Sequence, residues 1–245
     1  MHVETTGAGP PLLLLHGGGV AGWMWRPLLA ELGGDFCAFV PDLPGHGRSA
    51  SVDYTTHDDA VARLGEVIAE HTPGGAIVTG FSLGGQLALR LATERPDLVR
   101  GAVVVSAETI RAPLPRPTLA LLGWTAPLAR LGWFARLQAA QLRVPEVLLD
   151  DYLAGSRALR PATLLASVRA NLHFDLPAGW SAFRGPAAVL VGARERRLML
   201  DSARRTHEAL PGSDLTIAAD SAHDIPFTAP GLLAERIRAV ADGSR

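Results

Sequence analysis

Six short apolar runs recur along the chain: Pro11–Leu15, Phe36–Val40, Ala76–Thr79, Gly101–Ser106, Ala187–Val191 and Leu215–Ala218. None shows a clean polar alternation, which is the pattern of strands covered on both faces. Between them lie segments with apolar residues at helical spacing: Trp25–Leu32, Asp58–Glu70, Gly84–Glu94, Ser202–Leu210 and Leu232–Val240. Asp58 and Asp59 stand at the start of the second. The third stops before Pro96, which cannot donate to a helical ladder. Strand, helix, strand, repeated, implies right-handed crossovers. The expected fold class is α/β, with a mostly parallel central sheet flanked by helices.

One stretch breaks the alternation. From Thr109 to Trp180 no strand run appears, prolines recur, and the pieces between them are helical and apolar. Leu119, Leu122, Trp124, Leu131, Trp133 and Phe134 lie close together there. The expected organisation is a core made of residues 1–108 and 181–245, with residues 109–180 inserted as a helical cap. Trp124, Trp133 and Phe134 are candidates to line a substrate pocket, or else they bury the cap against the core.

Composition excludes several classes. Of 245 residues, 48% are hydrophobic and 19% charged, so the chain is globular and long enough for a sizeable core. A formal net charge of −1 leaves no basic footprint for nucleic acid. No apolar run approaches the roughly 20 residues that span a bilayer, so no membrane span is expected. The first residues lack a basic leader followed by a long apolar stretch, and the expectation is a cytoplasmic protein. Cys37 is the single cysteine and sits in an apolar run, where it reads as a strand residue. Neither H-E-x-x-H, nor a cysteine cluster, nor a dinucleotide fingerprint is present, and no cofactor is expected.

The strongest chemical signal is Gly80-Phe81-Ser82-Leu83-Gly84, of the form G-x-S-x-G, with a strand run before it and a helix pattern after it. A strand turning directly into a helix strains its middle residue, and the glycines remove side chains that would clash. The serine oxygen then projects above a helix N-terminus, which favours negative charge nearby. A second signal, His16-Gly17-Gly18-Gly19, follows the first strand run, where glycines let backbone amides approach a substrate. A third is Ser221-Ala222-His223-Asp224, directly after the last strand run. Of 8 histidines, His223 has the position that the chain order Ser, acid, His requires. A neutral imidazole there can accept the serine proton and return it to a leaving group.

These segments, with Asp42-Leu43-Pro44-Gly45-His46-Gly47-Arg48-Ser49, resemble the α/β-hydrolase superfamily, especially its small esterase, lactonase and cofactor-free perhydrolase branch. The resemblance spans nearly the whole chain outside the insertion. It implies Ser82 as nucleophile, His223 as base, and the amides of Gly18 and Leu83 as the oxyanion hole. It also implies that Asp42 and His46 are architectural. Relatives carry G-x-x-D after the strand before the last; this chain has Gly192-Ala193-Arg194-Glu195. Glu195 is therefore the first candidate for the triad acid, although Arg194, Arg196 and Arg197 are available to hold it in a surface ion pair. Glu108, after the strand run ending at Ser106, is the alternative. Asp224 is too close to His223 in sequence to reach its far ring nitrogen.

The implied function is hydrolysis of a carboxylic ester or related acyl bond in a small, hydrophobic substrate through an acyl-enzyme. The same residues would serve a perhydrolase, an acyltransferase or a carbon–carbon bond hydrolase. A ligand-binding protein on the same fold is the noncatalytic alternative.

Overall fold

The computed structural model describes residues 1–243 except 126, 127 and 129; the parts of the expected insertion and C-terminal core that fall on those positions and on Ser244 and Arg245 lie outside the described residues. Seven strands form one sheet among the described residues: β1 (Val3–Thr6), β2 (Pro11–Leu15), β3 (Cys37–Pro41), β4 (Ala76–Phe81), β5 (Val99–Val105), β6 (Ala187–Gly192) and β7 (Asp214–Ala218). Their spatial order is β1-β3-β2-β4-β5-β6-β7. Only β1, the edge strand against β3, runs antiparallel. The six expected runs are the six parallel strands, with ends shifted by a residue or two.

The four leucines of β2 show why such a run makes a doubly covered strand. Successive side chains of a strand point to opposite faces. Leu13 and Leu15 enter a core with Leu64 of α2 (His57–His71) and Leu87 of α3 (Leu83–Glu94). Leu12 and Leu14 enter the opposite core with Leu28 of α1 (Arg26–Leu32) and Ile237 of α10 (Pro230–Ala241). All four are at most 1% exposed, and each contributes about 1.5–3 kcal/mol by burial. Helix ends follow local chemistry as well. The Thr56 hydroxyl accepts the Asp59 amide at 3.1 Å to open α2, and Gly33 closes α1 in the left-handed region at φ 60°.

Between β5 and β6 the chain is helical: α4 (Pro115–Thr125), α5 (Gly132–Gln141), α6 (Leu149–Ala158) and α7 (Pro161–His173). α4 packs with α7, and α5 packs with α6. Two helical features were not legible. α8 (Arg197–Ala209) begins at Arg197 and not at Ser202, because Met199, Ser202, Ala203 and Thr206 share one buried face while the arginines point outward. A single turn, α9 (Ile225–Thr228), follows His223 directly.

Candidate active site

Strand order builds the site. The chain leaves β2 for β3 on one side and returns to β4 on the other, so the loops after β2 and β4 adjoin at a switch point of the sheet. Ligands bind at the carboxyl ends of strands at such points. The loop after β4 is the sharp turn into α3. Ser82 has φ 53° and ψ −114°, a strained conformation for a side-chain-bearing residue. It is held by its amide donating to the Val105 carbonyl at 2.9 Å and its carbonyl accepting the Gly85 amide at 2.9 Å. The flanking glycines are required by close backbone approach. A Cβ on Gly80 would stand 2.1 Å from the Gly84 oxygen, and one on Gly84 would stand 2.1 Å from the Leu15 oxygen.

His223, from the loop between β7 and α9, reaches this turn. Its Nε2 lies 3.1 Å from Ser82 Oγ, and its Nδ1 lies 2.9 Å from Glu195 Oε2. A carboxylate can only accept, so Nδ1 carries the hydrogen and Nε2 is left to accept from the serine hydroxyl. The Phe81 ring packs against the imidazole with centroids 4.8 Å apart. The Glu195 side chain is 1% exposed. Its other oxygen, Oε1, accepts from the Ser106 hydroxyl at 2.5 Å and from the Gly192 amide at 3.3 Å. Ser106, at the end of β5, is buried and left-handed with φ 50°. No sequence pattern announced it.

The neighbouring arginines do not engage Glu195 among the described residues. Arg194 pairs with Asp220 at 2.9 Å and Arg197 with Asp201 at 3.4 Å. Arg196 stands 4.0 Å from Glu108. Glu108 is buried, its Oε1 has no partner among the described residues, and burial raises its carboxyl above the usual range. The structure brings Glu195, and not Glu108, into hydrogen-bond distance of the ring.

Asp224 acts on the loop. One oxygen accepts the Ala222 amide at 2.8 Å and the Thr228 hydroxyl at 3.0 Å; the other faces Arg143 at 3.4 Å. These contacts brace the backbone on both sides of His223. Beneath Ser82, Tyr54 donates to His57 Nδ1 at 2.8 Å, His57 Nε2 donates to Gln86 Oε1 at 2.9 Å, and Gln86 Nε2 donates to the Glu108 carbonyl at 2.7 Å. Burial holds His57 below its ordinary pKa, in the neutral form this chain of bonds requires.

The loop after β2 passes over the start of α3: a Cβ on Gly18 would lie 3.8 Å from Leu83 Cδ2. Leu83 opens α3, so its amide is among those with no intrahelical acceptor. His16 is fully buried; its Nε2 accepts the Leu43 amide at 2.8 Å and its Nδ1 donates to the Gly17 carbonyl at 2.7 Å. Burial and the nearby His46 push its pKa down to about 3. Asp42 accepts the amides of Gly22 and Arg48, each at 2.8 Å, tying the loops together.

A cavity of about 620 Å³ opens over His223, with Gly18, Gln138, Leu142, Tyr152 and Met199 in its wall. That is ample for a small-molecule substrate. The expected pocket residues are elsewhere. Trp124 and Trp133 are 87% and 65% exposed. Phe134 is half-buried with its ring edge-on to Trp133, and it is not among the wall residues. The correction has a simple origin. The wall uses the C-terminal end of α5 and residues of α6, whereas Trp133 stands near the start of α5 and Trp124 on α4, which packs on α7.

Residues 12–236 match the model of the alpha/beta hydrolase family. The chain belongs to the α/β-hydrolase family. Within it, the chain is 32% identical to a pimeloyl-[acyl-carrier protein] methyl ester esterase of Nitrosomonas europaea, covering 93% of each chain. A protein of the same description from Chromobacterium violaceum is 31% identical, covering 93% of this chain and 92% of that one. Among solved structures, an enol-lactonase from Burkholderia xenovorans superposes with a TM-score of 0.84 at 18% identity, covering 98% of this chain and 96% of the other. An esterase from Thermogutta terrifontis gives 0.81 at 22%, covering 98% and 92%. These two likenesses carry the fold. The chain is a hydrolase of this family, and no helix among its described residues is long and apolar enough to cross a membrane.

Proposed function

We propose that this chain cleaves a carboxylic ester through an acyl-enzyme, with Ser82 as nucleophile, His223 as general base and Glu195 as the acid that orients the ring. The observation that carries the reading is the unbroken relay from Ser82 Oγ through both His223 nitrogens to the buried Glu195 carboxylate, with a cavity open above it.

In the first half-reaction Ser82 Oγ bonds to the ester carbonyl carbon while its proton passes to His223 Nε2. The imidazolium that forms is offset by Glu195, which accepts from Nδ1. Negative charge on the former carbonyl oxygen is received by the amides of Gly18 and Leu83, at the positive end of α3. Nε2–H then protonates the alcohol oxygen as the carbon–oxygen bond breaks. Water enters, gives a proton to Nε2 and attacks the acyl carbon. Collapse of that intermediate returns the proton to Ser82 and frees the carboxylic acid.

Residues 109–180 act as a cap whose α5 and α6 form the far wall of the cavity. Leu142 and Met199 there favour an apolar acyl portion. The methyl ester esterase description of the relatives supports an ester with a small alkoxy group.

A fluorophosphonate should add one label, mapped to Ser82 by peptide mass, and Ser82→Ala should abolish labelling and lower p-nitrophenyl butyrate hydrolysis by about 10⁴-fold or more. Retention of hydrolysis in that variant, or a label elsewhere, overturns the assignment.

A further inference from the structure

α5 ends in an arrangement that is ordinarily left to glycine. The Arg143 amide donates to the Ala140 carbonyl at 3.1 Å, and the Val144 amide donates to the Ala139 carbonyl at 2.9 Å. This pair of bonds closes a helix by putting one residue in the left-handed region, where glycine fits because it has no Cβ. Here that residue is Arg143, with φ 50°. Among the described residues, the others that carry a side chain at positive φ are Ser82 and Ser106. Ser82 is the proposed nucleophile, and Ser106 donates to Glu195. Backbone strain of this kind persists where the surrounding structure holds it, and it gathers at functional sites. Two of the three strained residues thus belong to the relay, and the third points at its remaining member.

The Arg143 side chain reaches from the insertion to the loop between β7 and α9. Its Nη1 donates to the Asp220 carbonyl at 3.4 Å, and its Nε lies 3.4 Å from Asp224 Oδ2. His223 stands between those two residues in sequence. The Asp224 side chain is 2% exposed. Its Oδ1 is taken by the Ala222 amide and the Thr228 hydroxyl. Among the described residues, Arg143 is the one cation paired with this carboxylate. A buried carboxylate is stable only beside a compensating partner. With the guanidinium removed, Asp224 is drawn toward water and the backbone it holds moves with it. The distance from His223 Nε2 to Ser82 Oγ is 3.1 Å. That is near the long end of the range of about 2.6–3.2 Å over which a base takes a proton, so a small shift of the loop breaks the transfer.

We propose that Arg143 is a positioning residue for the base, acting through Asp224 to hold His223 against Ser82. The inference rests on the triad reading. Gln138, Gln141 and Leu142, just before Arg143, are in the cavity wall, so one short segment borders the substrate and holds the base. Kinetics separate the two roles. A disturbed wall weakens substrate binding and raises KM, whereas a displaced base slows the chemical step and lowers kcat.

The test compares the full chain with Arg143→Gly, Arg143→Lys and Arg143→Gly/Asp224→Asn, using p-nitrophenyl butyrate, fluorophosphonate labelling and thermal melts. Glycine suits the left-handed backbone and removes the guanidinium, so Arg143→Gly should melt within about 4 °C of the parent. Its kcat should fall about tenfold with KM within about twofold, and labelling of Ser82 should slow by a similar factor. Arg143→Lys keeps a cation near Asp224 and should hold kcat within about threefold of the parent. Asp224→Asn removes the charge that needs a partner, so adding it to Arg143→Gly should recover kcat to within about threefold. Three results overturn the proposal: parent kcat in Arg143→Gly, a raised KM with parent kcat, and a loss that neither Arg143→Lys nor Asp224→Asn reverses. The second leaves Arg143 a support of the wall, and the third makes its role structural. A parent chain that takes no label at Ser82 is a failure of the triad reading, and the inference falls with it; a labelled parent beside an unaffected Arg143→Gly removes the inference alone.

Discussion

β2 and the stretch from α4 to α5 both carry large apolar side chains, yet they put them to opposite use. Leu12 to Leu15 are all but inaccessible, shared between two cores by the alternation of a strand. Trp124, Trp133 and Leu137 stand in solvent. The difference lies in what surrounds each element. A central strand of a parallel sheet is covered on both faces by its own crossover helices, so its contacts follow from the local pattern. The inserted helices pair with each other, α4 on α7 and α5 on α6, and each has a side that nothing in the fold requires to be covered. The proposed chemistry divides the same way. Ser82, His223 and Glu195 stand on loops at strand ends, whereas the insertion contributes wall.

The largest effect that would sharpen this division is expected at Glu195. Glutamine keeps the shape but offers an N–H toward Nδ1, so the ring is pushed into the tautomer whose Nε2 carries a hydrogen and cannot accept from Ser82. Glu195→Gln should lower kcat by about 10⁴-fold with little change in stability. Ser106→Ala removes one bond to the same carboxylate and should cost about tenfold in kcat with KM nearly unchanged. Steady-state kinetics with p-nitrophenyl butyrate, alongside thermal melts, reads both. A Glu195→Gln enzyme with wild-type kcat would mean that Glu195 does not orient the ring.

A second, intermediate effect concerns acid. His16, His46 and His57 are buried in the core, and burial is the first cause that holds each below its ordinary pKa. A histidine whose folded pKa is depressed takes up a proton on unfolding. Its share of stability is therefore complete above the unfolded value near 6.5 and is lost as pH falls below it; for His16 the loss continues to about 3. Each such ring should add about 1.4 kcal/mol per pH unit to the slope. Urea unfolding at intervals from pH 7.5 to 5 should show stability falling with pH, and His57→Gln should reduce the slope. A flat profile would show that these rings reach water freely and that the core is looser than its contacts suggest.

How much of this was legible in the sequence follows the same boundary. The parallel sheet, the turn at Ser82 and the position of His223 could be read because each depends on residues within a few positions of one another. Gly80 and Gly84 are needed by backbone contacts local to the turn. Ser106 and Asp224 could not be read, since their partners are set by strand neighbours and by Arg143, just past the end of α5 and far along the chain. The start of α8 was missed because a run of arginines hides the buried face of Met199 and Ala203. For the insertion, apolar periodicity established helices, but the choice among pocket, core and solvent for Trp124, Trp133 and Phe134 depended on how four helices pair, which no local pattern states.

The smallest effect is expected at Trp124, and it tests the comparison from the side of stability. A tryptophan that packed the insertion onto the core would lose several kcal/mol on truncation, as large-to-small changes inside cores do. Trp124 is 87% exposed, so Trp124→Ser removes little buried area and creates no cavity. It should change unfolding free energy by no more than about 0.5 kcal/mol, whereas Leu14→Ala should cost about 2–5 kcal/mol. Urea unfolding of the two variants decides it. If Trp124→Ser destabilised the protein as much as Leu14→Ala, the side chain would be packed in solution, and the contrast between a core that buries its apolar residues and an insertion that presents them would fail.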